Sequence, residues 1–242
     1  MTTFSRAIDD YWRAQFSTGR VLCSSDSFRI TTNPDLDEDN RISVLTTTDG
    51  NVSVALTPPL ADDLGLSHGR DLDEATFRQL LRRAGVGLNG ADNVFYFSEA
   101  GRRALTDPTT DRVDDTVRRL TAADAELFAT FEASASEEDM DDAYVKLDHW
   151  AVFGSFEDER LVGAGSMYSW DEAEIADFGV LTLAPFRGKG HARRLVRAMS
   201  RYAYGEGYEP QYRCQFDNQA SVAVAEAAGL TLFGTWEAEP ED

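Results

Sequence analysis

Apolar and polar positions follow two rhythms along this chain. Phe4, Ile8, Tyr11, Trp12 and Gln15 or Phe16 recur at the spacing of one helical face and predict a helix over residues 3–16. "RISVLTT" and "NVSVALT" alternate instead, which predicts two strands around the turn "TDGN". "TPPLADDLG" reads as a loop, "DLDEATFRQLLRRAG" as a helix between an Asp cap and Gly85, and "NVFYFS" as a strand. After the polar stretch "TDPTTDRVDDT" the pattern becomes denser. "TVRRL" is a short strand, "TAADAELFATFEA" a helix capped by Thr121, and "SEEDMDDAYVKL" a weaker helix. "WAVFGSF" and "RLVGAGSMYSW" form a hairpin around "EDE", and "EIADFGVLTL" is a long strand. A helix from Gly190 to Tyr204, the strand "PQYRCQF", the helix "NQASVAVAEAAG" and the strand "LTLFGTWEA" complete the order.

This succession divides the chain into residues 1–110, a smaller α+β domain of unassigned role, and residues 116–242. The second part is of α/β (α+β) class, with alternating elements that imply a mixed sheet covered by helices on both faces.

Composition narrows the function. The formal charge of −20 and pI of about 4.4 exclude a broadly basic surface, so no nucleic-acid partner is expected. No apolar run approaches a membrane span, and the first residues lack the basic and apolar regions of a signal peptide. A cytoplasmic protein without a membrane partner is therefore expected. Cys23, Cys214 and three histidines are too scattered for a disulfide framework or a metal site. Lysine occurs only at 146 and 189. An acidic, lysine-poor surface suits a halophilic source, and base composition of the genome explains part of the same bias.

One segment departs from that acidity. From Gly179 to Gly205 there is no Asp or Glu, while Arg187, Lys189, Arg193, Arg194, Arg197 and Arg201 are basic. Here a strand leads through Arg187-Gly188-Lys189-Gly190-His191-Ala192 straight into a helix. The first turn of a helix offers unpaired N–H groups and partial positive charge, and glycine lets backbone approach an anion. The segment therefore reads as a pyrophosphate cradle. It is neither a Walker loop nor a three-glycine dinucleotide fingerprint. A second match to the same short pattern, Arg82-Arg-Ala-Gly85-Val-Gly87, follows a helix and reads as a C-cap and turn.

Arg187, Gly190 and Ala192 resemble the signature of the GNAT superfamily of acyl-CoA N-acyltransferases, and Asn218, Ser221, Gly229 and Leu230 resemble its next element. The likeness covers roughly residues 116–238, and the "PQYR" strand is similar to that of members carrying an extra N-terminal domain.

The resemblance implies acetyl-CoA as acyl donor, lodged between two splayed parallel strands. The backbone of Leu181, Thr182 and Leu183 would meet the pantetheine arm, and the amides of Gly188, Lys189, Gly190, His191 and Ala192 the pyrophosphate. Asn218 would orient the pantetheine end, with Ser221 beside it, and an N–H near Leu181 would polarise the thioester carbonyl. It further implies direct attack, in a ternary complex, by the amine of a small acceptor, and it leaves room for a homodimer paired through sheet edges.

The attacking amine must lose a proton, and Asp177 and Glu174 are the candidate bases, set against their reading as solvated carboxylates. The family's usual acid, a Tyr in the helix after Asn218, is Ala225 here, which keeps open a non-catalytic acyl-CoA-binding or regulatory module. His191 is expected to face solvent or a phosphate, and Cys214 to be a small apolar strand residue. Trp170, Asp171 and Glu172, the last of which lies outside the described residues, are expected at a hairpin end where an amine could meet aromatic and acidic groups.

Overall fold

The computed structural model describes residues 3–37, 39–69, 72–109, 115–171 and 173–240. The part of the expected interdomain stretch at 110–114 lies outside the described residues. In chain order the elements are α1 (Arg6–Gln15), β1 (Val21–Ser24), β2 (Phe28–Thr32), β3 (Ile42–Thr47), β4 (Val52–Leu56), α2 (Pro58–Asp63), α3 (Glu74–Ala84), β5 (Asp92–Tyr96) and α4 (Glu99–Thr106). They continue with β6 (Val117–Leu120), α5 (Ala125–Glu132), α6 (Glu137–Ala143), β7 (Ala151–Glu157), β8 (Arg160–Ser169), β9 (Ile175–Thr182), α7 (His191–Gly205), β10 (Glu209–Gln215), α8 (Gln219–Ala228) and β11 (Thr231–Ala238).

The expected loop "TPPLADDLG" is instead the short helix α2. Thr57 caps it by accepting the Leu60 N–H at 3.4 Å, and the two prolines occupy the first turn, where a missing N–H breaks no helical bond. Strands β1 and β2 and helix α4 have no counterpart in the periodicity reading, being short and interrupted by polar residues. Thr121 does cap, but through a reciprocal box with Asp124 on a single 3-10 turn, and α5 begins only at Ala125.

The chain folds as two compact units that do not follow sequence order. One comprises residues 8–94, 214–218 and 232–242. There β1, β2, β4, β3 and β11 lie side by side, with β2 and β4 parallel and the other pairs antiparallel. Phe77 and Leu81 of α3 pack with Phe28, Ile30, Val44, Val54 and Leu56 in its core. The closing strand β11 pairs Gly234 with Thr47 and Ala238 with Ser43. Arg41 to Glu239 and Arg78 to Glu237 tie the same two ends of the chain.

The other unit comprises residues 1–7, 95–213 and 219–231. Its strands run β10, β9, β8, β7, β6, with β9 and β10 parallel and the rest antiparallel. Asp158 and Glu159 both take positive φ, the conformation a two-residue hairpin turn requires. Helices cover both faces. Gly163 and Gly165 of β8 face Leu195 and Met199 of α7, while Ala164 joins Phe128 and Phe131 of α5.

Candidate active site and basic loop

The parallel ladder between β9 and β10 holds three pairs, Ile175 with Glu209, Ala176 with Pro210 and Asp177 with Gln211, and then stops. Strand β9 continues to Thr182, paired on its other side with β8. The strands part at Asp177, which sets the two ends of the candidate site: the basic loop follows one, and a polar cluster sits at the junction.

Beyond Thr182 a 3-10 turn, Ala184–Phe186, delivers the chain to the loop. Gly188 and Gly190 take φ of 78° and 83°, and a Cβ on Gly188 would meet nothing within 4 Å, so the backbone there is open to an incoming group. Helix α7 then starts with no side-chain cap, leaving its first N–H groups to be satisfied by a ligand or water.

The loop's cations are engaged by acids. Arg187 donates to the Thr182 carbonyl at 3.0 Å and to Asp139 at 2.6 Å. Lys189 donates to Glu157 at 2.7 Å, and this contact holds the Glu157 carboxyl below the usual range. His191 does not face solvent: it is 3% exposed, and burial pushes its pKa down. Arg194 Nη2 can only donate, so His191 Nδ1, 2.9 Å away, accepts and Nε2–H points to Glu157. Its backbone N–H still opens α7. Arg197 and Arg201 serve elsewhere, donating to the carbonyls of Ala228 and Leu105 at the ends of α8 and α4.

Of the strand residues expected near pantetheine, Leu181 and Leu183 are core, Thr182 gives its carbonyl to Arg187, and the Leu183 N–H goes to Val162. Asn218 groups with residues 214–218 and donates its N–H to the Gln215 carbonyl, whereas Ser221 and the buried Ala225 belong to the loop-bearing unit.

The two candidate bases differ sharply. Glu174 is exposed ahead of β9, and its carbonyl accepts the Glu209 N–H. Asp177 is 2% exposed. Its Oδ2 accepts from Tyr168 Oη at 2.8 Å and from Arg213 Nε and Nη2 at 3.0 and 2.9 Å. The Arg213 guanidinium lies 4.0 Å from the centre of the Trp170 ring. Burial, and then Asp177, raise the Tyr168 pKa well above that of a free phenol, so the hydroxyl remains a donor. Tyr144, in the left-handed region at φ 48°, brings its ring to 5.5 Å from Tyr168 and 5.1 Å from His149. Periodicity did not disclose Tyr168 and Arg213 as partners of Asp177. The available signal was that Gln211 and Arg213 share one face of a strand.

Gly85 is a left-handed C-cap, as its place after α3 predicts. Cys214 is a half-buried thiol pushed up to about 11 by burial, which leaves it a poor nucleophile. Among the described residues no cluster of His, Cys, Asp and Glu is arranged to hold a metal, and no helix is long and apolar enough to cross a membrane.

Residues 120–230 match the family model described as the acetyltransferase (GNAT) family. That match implies acyl transfer from an acyl-CoA to an acceptor. Among solved structures, an acetyltransferase of the GNAT family from Colwellia psychrerythraea is similar in fold, with 17% identity and a TM-score of 0.51 over 79% of this chain and 78% of that one. A GNAT-family protein from Novosphingobium aromaticivorans matches at 16% identity and a TM-score of 0.47, over 63% of this chain and 66% of its own. A search of curated proteins finds no significant sequence match.

Proposed function

We propose that the chain is an N-acetyltransferase that moves an acetyl group from acetyl-CoA to the amine of a small acceptor by direct attack. The observation that carries this reading is the parting of β9 and β10 at Asp177, next to a glycine loop that opens onto an uncapped helix N-terminus. Acetyl-CoA supplies the activated acyl group.

The residues present fit such a molecule. The open backbone at Gly188, the free first turn of α7, and Arg187 and Lys189 at its mouth suit a diphosphate. Displacing Asp139 and Glu157 from the two cations is the local cost of binding. Asp177 takes the proton of the acceptor ammonium at Oδ1, because Oδ2 already accepts from Tyr168 and Arg213. Tyr168, Trp170, Tyr144 and His149 give the acceptor side an aromatic wall.

Calorimetric titration with acetyl-CoA tests the loop. The Arg187→Ala, Lys189→Ala double variant is expected to bind at least about tenfold more weakly. Release of free thiol in the presence of primary amines then tests the chemistry. Ala225 favours a second reading, a non-catalytic acyl-CoA-binding module. Binding without thiol release would select it.

A further inference from the structure

The face of β9 and β10 that carries Asp177 holds a second buried polar side chain. Gln211 is 0% exposed and is the cross-strand partner of Asp177 at the last pair of the parallel ladder. Its Oε1 accepts from the Tyr96 hydroxyl, which orients the amide. The Nε2 amide group, a donor, has no partner among the described residues, and neither does Asp177 Oδ1, an acceptor. An unpaired buried donor or acceptor is costly, so two complementary ones on neighbouring residues call for a shared partner. The group that satisfies both must accept from an amide N–H and donate to a carboxylate. A hydroxyl does this, and a carboxylate or ammonium cannot.

Resting on the acetyltransferase reading, we infer that Gln211 is a positioning residue that seats one bridging hydroxyl oxygen against Asp177 Oδ1, and that this oxygen relays the acceptor's proton. Gln211 Nε2–H donates to the bridging oxygen. The oxygen gives its own proton to Asp177 Oδ1 and takes one from the acceptor ammonium. The N–H bond broken on the ammonium is thus matched by the O–H bond formed on Asp177, and the nitrogen keeps its electron pair for attack. The hydroxyl comes from water or from the acceptor itself, as in an amino alcohol.

The test is the rate of thiol release from acetyl-CoA with paired amines, ethylamine and ethanolamine among them, in the wild type, Gln211→Met, Gln211→Glu and Tyr96→Phe. Gln211→Glu is isosteric and keeps an acceptor for Tyr96, so it guards against loss of folding. Both Gln211 variants are expected to lose about tenfold or more in kcat while binding acetyl-CoA as tightly as the wild type. Tyr96→Phe, which leaves the Nε2 donor in place, is expected to lose much less. A loss confined to ethanolamine assigns the hydroxyl to the acceptor, and an equal loss with both amines assigns it to water. Gln211 variants within about twofold of the wild type, or no worse than Tyr96→Phe, would overturn the relay and leave acetyl transfer standing. A folded wild type that binds acetyl-CoA but acetylates no amine would overturn the transferase reading, and the relay with it.

Discussion

Lys189 Nζ lies 2.7 Å from Glu157 Oε1, so the one lysine of the basic loop is held by a carboxylate from the neighbouring hairpin. Arg187 is held the same way by Asp139 at 2.6 Å. In a chain of formal charge −20 these acids keep the basic loop in place and also compete with any anion that approaches it. Glu157→Gln removes that competition at Lys189. Calorimetry at low salt is expected to show acetyl-CoA binding about two- to fivefold tighter, the scale of an exposed ion pair, and unchanged or weaker binding would count against phosphate docking at Lys189.

The pair between Arg213 and Asp177 is largely buried, with side-chain exposures of 17% and 3%. Removing one member leaves an uncompensated charge in a poor solvent for it. Arg213→Met is expected to lower the free energy of unfolding by about 3 kcal/mol, and adding Asp177→Asn should return part of the loss. Urea unfolding of the single and double variants measures both numbers.

Gly179 on β9 has no room for a side chain, because a Cβ there would lie 1.6 Å from the Ala143 carbonyl oxygen at the end of α6. The atom met is backbone, so it can be relieved only by moving α6 or the strand. Gly179→Ala is therefore expected to destabilise the protein by about 2 kcal/mol or more and to displace Tyr144 from Tyr168. Thermal unfolding and the near-ultraviolet spectrum of the tyrosines report the two effects.

Asp124 is held at a pKa of about 2, chiefly by the Arg118 guanidinium and then by the Thr121 N–H of its capping box. A carboxyl whose folded pKa is depressed stabilises fully above its unfolded value, near about 4, and loses that contribution as pH falls through the folded value. The 3-10 turn ahead of α5 is expected to stay capped down to about pH 3 and to fray below it. An NMR titration of Asp124, with Asp124→Asn as control, checks the midpoint.

Much of the candidate site was legible because its parts are local. A strand, two glycines and a helix in succession specify the open backbone at Gly188 and the uncapped start of α7 whatever surrounds them. The direction of His191 is not legible for the opposite reason: it depends on Ser155 and Glu157, which come from another strand. Arg197 and Arg201 look like part of the basic island and are in fact caps for α8 and α4, a role that exists only once those helices are packed nearby.

The same division holds for the whole chain. Periodicity and caps determine most of the elements, because a helix or strand is set by the spacing of its own apolar residues and by the groups at its ends. The loop and the Asn-led helix after it determine the family likeness for the same reason. The tertiary structure alone decides that β11 joins the strands of residues 8–94, through its register with β3 and the ties from Arg41 and Arg78. It alone distinguishes Asp177 from Glu174, since burial and the approach of Tyr168, Arg213 and Gln211 depend on strand pairing, and pairing joins residues that no local pattern relates.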